Sequence, residues 1–142
     1  MSDLTVSLKK TINAPIEKVF DAWLKPETIS KFMMPMPGMK EPEVSNNPRV
    51  GGEFSIIMFG ENEQMPHKGK YIEIARPNTL VFTWESAFSP ADSKVSLLFT
   101  KIDETNTQIE LTHVKFFNEE TRTNHEGGWG HILEMLEQTI VE

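Results

Sequence analysis

The sequence predicts an α+β fold, in which a curved antiparallel sheet of about six or seven strands is covered by one long C-terminal helix. Most of the chain alternates apolar and polar residues in short segments separated by turns, which is typical of an antiparallel meander. Residues 123–141 instead repeat their apolar side chains at helical spacing. A long helix cannot pair with strands, so it must cover one face of the sheet. The 142 residues fit a single domain, 1–142.

The first part of the chain predicts one strand followed by two short helices. Leu4, Val6 and Leu8 alternate with polar residues, which indicates a half-buried strand that reaches about residue 12. Pro15 suits the first position of a helix, where its missing N–H is not needed. Pro26 ends that first helix and can begin a second one.

A methionine- and proline-rich segment, Met33–Met39, follows the second predicted helix. Alternating methionine and proline cannot form regular structure, and methionine side chains adapt to irregular surfaces. The segment is therefore either a loop that plugs one end of the core or the adaptable rim of an apolar pocket.

Six further strands are predicted between residues 40 and 114. Short turns separate them, and the connection that begins at Gly60 is expected to continue as a loop to Pro66. The predicted strands lie around Val44 and at 53–59, 68–75, 80–84, 95–100 and 109–113.

The C-terminal helix is predicted to run from Thr123 to Val141. Gly127, Gly128 and Gly130 crowd its N-terminal half, and each costs roughly 1 kcal/mol relative to alanine in a helix interior. We expect that cost to be offset by the close approach of a sheet, another helix or a ligand. Trp129 would then lie over the middle of the sheet, and a binding cavity is a plausible consequence.

Composition excludes several classes of function. The formal net charge of −7 and the absence of basic runs argue against nucleic-acid binding. There is no cysteine, which excludes disulfides, thiolate metal sites and cysteine nucleophiles. The N-terminus does not resemble a signal peptide, and the longest apolar run, 54–59, is too short to span a bilayer. We therefore expect a cytoplasmic protein without a membrane span.

The histidines do not predict a metal or catalytic centre. His125 and His131 are six residues apart, so on a helix they point in different directions and cannot share a metal ion. His113 falls on the inward face of the last strand, where it is either a satisfied core residue, a polar anchor for a ligand or, least favoured, an acid–base group. Glu110 lies on the other face of that strand and cannot orient it. No G-x-S-x-G motif or phosphate-binding motif is present, and no cofactor is predicted.

Large apolar side chains predicted to point inward are the best candidates for a cavity wall, with His113 as their polar member. An ordinary, filled core is an equally good interpretation of the same residues, because a sequence does not measure a void. The candidate ligand-binding residues are Met34, Phe54, Met58, Phe82, Trp84, Phe99, His113, Trp129 and Leu133.

Several stretches, in the correct order, resemble one family over nearly the whole chain. They are Ala14-Pro15 followed by Val19-Phe20 and Trp23, then Pro26-Glu27; Val50-Gly51-Gly52-Glu53-Phe54 with Met58; Gly69 to Ile74 followed by Pro77 and Leu80 to Trp84; and Thr112-His113 followed by His125, Gly128-Trp129, Leu133 and Leu136. These residues are similar to the bacterial proteins that resemble the C-terminal domain of the activator of the ninety-kilodalton heat-shock protein ATPase. That family lies within the START-like, Bet v 1-like superfamily. One departure is Phe32-Met33-Met34, where the family usually carries aromatic residues.

The resemblance implies a helix-grip fold with an apolar cavity between the sheet and the long helix, and it leaves three functions open. The first is non-catalytic binding of a small hydrophobic or amphipathic ligand. The second is a protein-interaction module with a chaperone or other protein partner, and the third is a polyketide cyclase-like enzyme. An exposed strand edge or the methionine segment could also support a homodimer.

Overall fold

The computed structural model describes residues 4–34, 38, 40–60, 63–87 and 89–140, and it confirms the predicted α+β helix-grip fold. Within these residues, seven antiparallel strands form one curled sheet in the order β1-β7-β6-β5-β4-β3-β2. The elements are β1 (Thr5–Ile12), α1 (Ile16–Ala22), α2 (Pro26–Phe32), β2 (Lys40–Asn46), β3 (Glu53–Phe59), β4 (Gln64–Ala75), β5 (Thr79–Thr83), β6 (Lys94–Asp103), β7 (Asn106–Val114) and α3 (Glu119–Ile140).

The inner face of the sheet follows the alternation of the sequence. In β7, Ile109, Leu111 and His113 are fully buried, whereas the residues between them are partly exposed. Leu97 and Phe99 of β6 are buried on the same side. Each alternating strand therefore contributes one apolar row to a core that the helices cover.

Helix α3 begins earlier than predicted, at Glu119 rather than Thr123. Asn118 precedes the helix, and its side-chain Oδ1 accepts a hydrogen bond from the backbone N–H of Thr121 at 2.9 Å. The Asn118 N–H donates in turn to the Thr121 hydroxyl at 3.3 Å. This reciprocal cap satisfies N–H groups that a helix start otherwise leaves unpaired, so the polar residues before Thr123 extend the helix.

Strand β4 also begins earlier than predicted, at Gln64, and the prediction of a loop up to Pro66 is wrong. Pro66 faces Ile57 of β3, and Met65 faces Met58. Continuous pairing with β5 begins only at Tyr71, so Pro66 occupies a part of β4 whose second side carries no β5 partner. Proline is tolerated at such edge positions because no ladder hydrogen bond is lost there.

A close backbone approach that requires a glycine occurs within the sheet, at Gly69 of β4. A Cβ atom at Gly69 would overlap both the carbonyl oxygen of Thr83 and the ring of Phe54. Two predicted connections stay predictions, because parts of them lie outside the described residues. These parts are Pro35–Pro37 and Met39 in the methionine-rich segment and Glu61-Asn62 in the hairpin. Among the described residues, none of the helices is both long and apolar enough to cross a membrane.

Candidate functional site

A cleft of about 610 Å³ lies between the N-terminal half of α3 and the β3–β4 part of the sheet. Its sheet wall consists of Met58 of β3, Met65 and His67 of β4, and Trp84, which follows β5. The alternation of β4 places Met65 and His67 on the same face, since they are two residues apart. Two methionines and an indole give this wall an apolar and adaptable surface.

The helix wall of the cleft combines two large apolar residues with glycines. Trp129 and Ile132 are buried, and Gly127 and Gly128 complete the wall beside them. Of the three neighbours expected at the helix glycines, neither the sheet nor another helix approaches Gly127 or Gly130, where a Cβ atom would meet no described protein atom within 4 Å, and the ligand stays a prediction. At Gly127 the missing side chain instead leaves space in the cleft.

The floor of the cleft is aromatic. The rings of Trp84 and Trp129 have centroids 5.0 Å apart, and His67 packs on Trp84 with a centroid distance of 4.9 Å. Trp23 of the α1 C-terminus packs behind Trp129 at 6.5 Å. These contacts join α3, β4 and the first helix in one aromatic cluster, which fixes the shape of the cleft.

A buried chain of hydrogen bonds holds Trp129 in position. The Trp129 Nε1–H donates to Nδ1 of His113 at 3.0 Å, and Nε2 of His113 contacts the hydroxyl of Ser93. An indole nitrogen can only donate, so Nδ1 accepts and the proton of the neutral imidazole is on Nε2. Burial is the main cause that lowers the pKa of His113 to about 3. Both ring nitrogens are therefore engaged, and His113 stands behind the cleft as a positioning group.

His125 makes a second histidine–serine contact at the edge of the cleft. Its Nδ1 lies 2.7 Å from the carbonyl oxygen of Thr121, so Nδ1 donates and Nε2 accepts the Ser89 hydroxyl proton at 2.9 Å. Burial lowers the pKa of His125. A serine that donates to a neutral imidazole resembles an activated nucleophile. Ser89 is only 1% exposed, however, and does not line the cleft, so this bond ties the segment after β5 to α3.

His67 is the polar residue of the cleft wall whose ring is least satisfied. It is 6% exposed, and its Nδ1 has no hydrogen-bond partner among the described residues. Burial lowers the pKa of His67 to about 4. Hydrogen bonding to the backbone of Met65 opposes this shift but is the smaller effect. The neighbouring Trp84 Nε1 also lacks a partner in the described part of the chain. Such atoms each cost roughly 1–3 kcal/mol while they stay unpaired.

Three of the predicted site residues, Met58, Trp84 and Trp129, meet in the cleft. Phe54 and Phe82 line a separate space of about 20 Å³, which is also bounded by Trp84. The structure thus divides the predicted aromatic wall into an open part and a nearly filled part.

The other predicted residues do not line the cleft. Phe99 packs edge-on against Phe20 with a centroid distance of 5.2 Å, and Leu133 is buried in the core. The carbonyl oxygen of Met34 accepts a hydrogen bond from Nδ1 of His131 at 2.8 Å, which attaches the start of the methionine-rich segment to α3.

Sequence reasoning missed the polar side of the cleft, which is formed by His67, His125, Thr121 and Asn124. The predicted strand 68–75 begins one residue after His67 and therefore gives that residue no face, whereas β4 begins at Gln64. Thr121 preceded the predicted helix start, although Asn118 with Thr121 is a recognisable capping pair. Within the described residues, no group of three or more histidine or acidic side chains is arranged to hold a metal ion.

Comparison with solved structures identifies bacterial proteins of the same fold. A protein from Chromobacterium violaceum superposes with a TM-score of 0.83 at 18% identity, covering 98% of both chains. A protein from Nitrosomonas europaea gives a TM-score of 0.77 at 21% identity, over 97% of this chain and 94% of its own. An AHSA1-like protein from Aeromonas hydrophila gives 0.79 at 20% identity, over 96% of this chain and 92% of its own.

At these identities the structural matches establish the fold alone. No curated protein matches the sequence. The model of one family, described as Activator of Hsp90 ATPase homolog 1-like protein, matches residues 13–141. The chain therefore belongs to the Activator of Hsp90 ATPase homolog 1-like family.

Proposed function

We propose that the protein binds a small, largely apolar molecule in the cleft between α3 and the β3–β4 part of the sheet, without catalysing a reaction on it. The observation that carries this proposal is the open space at Gly127, on the wall of a cleft of about 610 Å³. Small-molecule sites in proteins fall in this range of volume, and they are mostly apolar with a few polar groups. A glycine here is costly for the helix, and a bound molecule is a reason for it.

The alternative of a cyclase-like enzyme has weaker support. Acid–base catalysis needs a titratable group free to exchange a proton with the substrate, usually held by a second group. The two nitrogens of His113 and those of His125 are all engaged by protein partners. His67 is then the remaining imidazole on the cleft wall, and it has no carboxylate partner among the described residues.

The name of the family suggests a second alternative, a protein-interaction module. This alternative predicts a filled cavity. The open cleft favours a small ligand over that alternative. A partner protein becomes the leading candidate if the binding experiment below gives no ligand.

The experiment is native mass spectrometry of the purified protein, followed by thermal unfolding with fatty acids, sterols, aromatic compounds and polyketide-like compounds. A ligand at 100 times its dissociation constant should add about 2.7 kcal/mol to the free energy of unfolding. A copurified mass, or a consistent shift with one chemical class, would support the proposal.

Two helix variants locate the site. Gly127→Leu places a side chain in the cleft and obstructs it, whereas Gly130→Leu adds the same side chain to open space on the same helix but away from the cleft. Both should gain roughly 1 kcal/mol of stability from the better helix former. We expect Gly127→Leu to lose ligand binding and Gly130→Leu to retain it. Equal binding by both variants would place the ligand elsewhere.

A further inference from the structure

The charges around the cleft suggest which molecules it accepts, provided that the proposed binding function holds. Among the described residues that line the cleft, there is no lysine, arginine, aspartate or glutamate. Several charged residues near the cleft in sequence are paired with one another. Arg122 lies 2.8 Å from Glu119 and 3.8 Å from Glu126, and Lys68 lies 3.9 Å from Glu85. An ionised ligand would therefore lack an opposite charge in the cleft wall.

The start of helix α3 is also unfavourable for an anion, because Glu119 and Glu120 place two acidic side chains in its first turn. Helix N-termini attract negative groups through their unpaired N–H groups. Here the N–H of Thr121 already donates to the side chain of Asn118 at 2.9 Å. The hydroxyl of Thr121 donates to the carbonyl oxygen of Asn118 at 3.0 Å, so it too is engaged.

The histidine at the helix wall is favoured in its neutral form, because burial lowers the pKa of His125. His125 donates through Nδ1 to a carbonyl oxygen and accepts the Ser89 hydroxyl proton on Nε2. A protonated ring would instead donate from Nε2 to the Ser89 oxygen, so the contact fits both forms, and it is burial that favours the uncharged imidazole. His125 therefore gives an anionic ligand no positive partner.

Two buried polar groups on the opposite wall still lack partners. They are Nδ1 of His67 and Nε1–H of Trp84, and their rings are 4.9 Å apart. His67 is 94% buried, as its exposed fraction is 6%. A neutral imidazole can donate or accept, and an indole N–H can donate. Both atoms have almost no accessible surface, so a ligand in the cleft reaches a ring nitrogen only when the His67 ring, which lines the cleft, turns towards it. A hydroxyl or carbonyl group could then pair with the imidazole, whereas a purely apolar molecule could not.

We infer that the ligand of this cleft is an uncharged amphipathic molecule, whose hydroxyl or carbonyl group hydrogen-bonds to His67 while its apolar body lies against Trp84 and Trp129. The polar group selects the molecule, because an ionised head at the same place would lose its hydration without gaining an opposite charge. The apolar body supplies most of the binding free energy.

The test compares neutral and charged molecules that share one apolar body. Decan-1-ol, decanoate and decylammonium form one series, and 2-naphthalenemethanol, 2-naphthoate and 2-naphthylmethylammonium form the other. Their dissociation constants are measured by titration calorimetry at pH 7.5. We expect the alcohol of at least one series to bind about tenfold or more tightly than both of its ions. A tenfold difference in the dissociation constant is what the loss of one hydrogen bond or the burial of an unpaired charge should cause.

The outcomes separate this inference from the proposed function. If an ion binds as tightly as its alcohol, the inference of an uncharged ligand is wrong, although the cleft still binds small molecules. If none of the six molecules binds and the mass spectrometry and thermal unfolding described above also give no ligand, the proposed binding function itself fails. The Gly127→Leu variant must abolish any binding that is attributed to the cleft.

The variant His67→Phe tests the hydrogen bond. It keeps a ring against Trp84 but removes both nitrogens, and 2-methylnaphthalene serves as a probe without a polar group. We expect the variant to weaken binding of 2-naphthalenemethanol by about tenfold and to leave binding of 2-methylnaphthalene unchanged. Equal effects on both probes would show that His67 acts through shape alone and would overturn its assignment as the polar anchor.

Discussion

At the scale of single residues, His113 has a role that only its two ring nitrogens can fill. It accepts the Trp129 N–H at 3.0 Å and contacts the Ser93 hydroxyl, deep within the core. Replacement by leucine keeps the volume but leaves the Trp129 N–H and the Ser93 hydroxyl buried without their partner. We expect His113→Leu to lower the free energy of unfolding by roughly 2–5 kcal/mol, which is the cost of two such groups.

The matched variant for this prediction is His113→Gln. A glutamine side chain can present an oxygen to Trp129 and an N–H to Ser93, so the loss should be smaller than with leucine. Urea unfolding followed by tryptophan fluorescence measures both variants. Equal stability of the leucine variant and the wild type would show that the hydrogen-bond chain contributes nothing.

The residues of the site divide into those that a sequence can predict and those that it cannot. Met58, Trp84 and Trp129 follow from strand alternation and helical spacing, because local periodicity decides which way they point. Ser89 and His125 are 36 residues apart, and their contact depends on how α3 crosses the segment after β5. No local pattern encodes a pairing of that kind.

At the scale of elements, the cap of α3 couples helix stability to the cleft. The Asn118 side chain fixes the first turn of the helix, and the cleft residues Thr121 and Asn124 lie in the first two turns. We expect Asn118→Ala to cost about 1 kcal/mol, since alanine cannot accept the Thr121 N–H. Fraying of that turn should also weaken ligand binding.

Thermal unfolding and amide hydrogen exchange of residues 119–125 measure this effect. Asn118→Asp and Asn118→Ser are the controls, because both keep an oxygen that can accept the same hydrogen bond. Faster exchange in the alanine variant alone supports the role of the cap. Equal exchange in all three variants would contradict it.

The order of the elements was predictable, because apolar residues repeat with a different spacing in strands and in helices, and prolines and turn residues separate the elements. Pro15 and Pro26 mark the starts of two short helices, and the turns separate strands. Boundaries were less predictable, as β4 shows. Pro66 indicates a loop locally, but the ladder with β3 and the absence of a β5 partner at that point allow it within the strand.

At the scale of the whole molecule, the sheet and α3 enclose both a filled core and an open cleft. In the sequence, the same aromatic residues are consistent with a filled core and with an open cleft. What separates them is how closely α3 packs on each part of the sheet, which depends on long-range contacts such as Trp23 with Trp129 and Trp84 with Trp129. The fold class therefore follows from pattern, whereas a volume of about 610 Å³ follows only from the packing of the complete chain.

The whole molecule should also lose stability in a defined pH range. The pKa of His113 is lowered to about 3 and that of His67 to about 4, both mainly by burial. The unfolded chain takes up these protons near pH 6.5, so below that pH it binds more protons than the folded protein does. The free energy of unfolding should therefore be highest above pH 6.5 and should fall as the pH is lowered towards 4.

Carboxyl groups act in a lower range and can be separated from this effect. Hydrogen bonds lower the pKa values of three aspartates. Asp21 accepts from Arg76, Asp92 accepts from Lys115, and Asp103 accepts from the backbone N–H of Thr105. Their stabilising contribution is present above pH 4 and is lost only as the pH falls below their ordinary values. The slope between pH 6 and 4.5 consequently reports the buried histidines.

The variant His113→Gln isolates one of these protons. Each buried histidine that stays neutral contributes at most about 1.4 kcal/mol per pH unit to the slope of the unfolding free energy. Urea unfolding at several pH values between 7 and 4.5 should give the variant a slope that is smaller by about one proton. An unchanged slope would mean that His113 is protonated as readily in the folded protein as in the unfolded chain. The buried bond from Trp129 to Nδ1 would then have to break within this pH range.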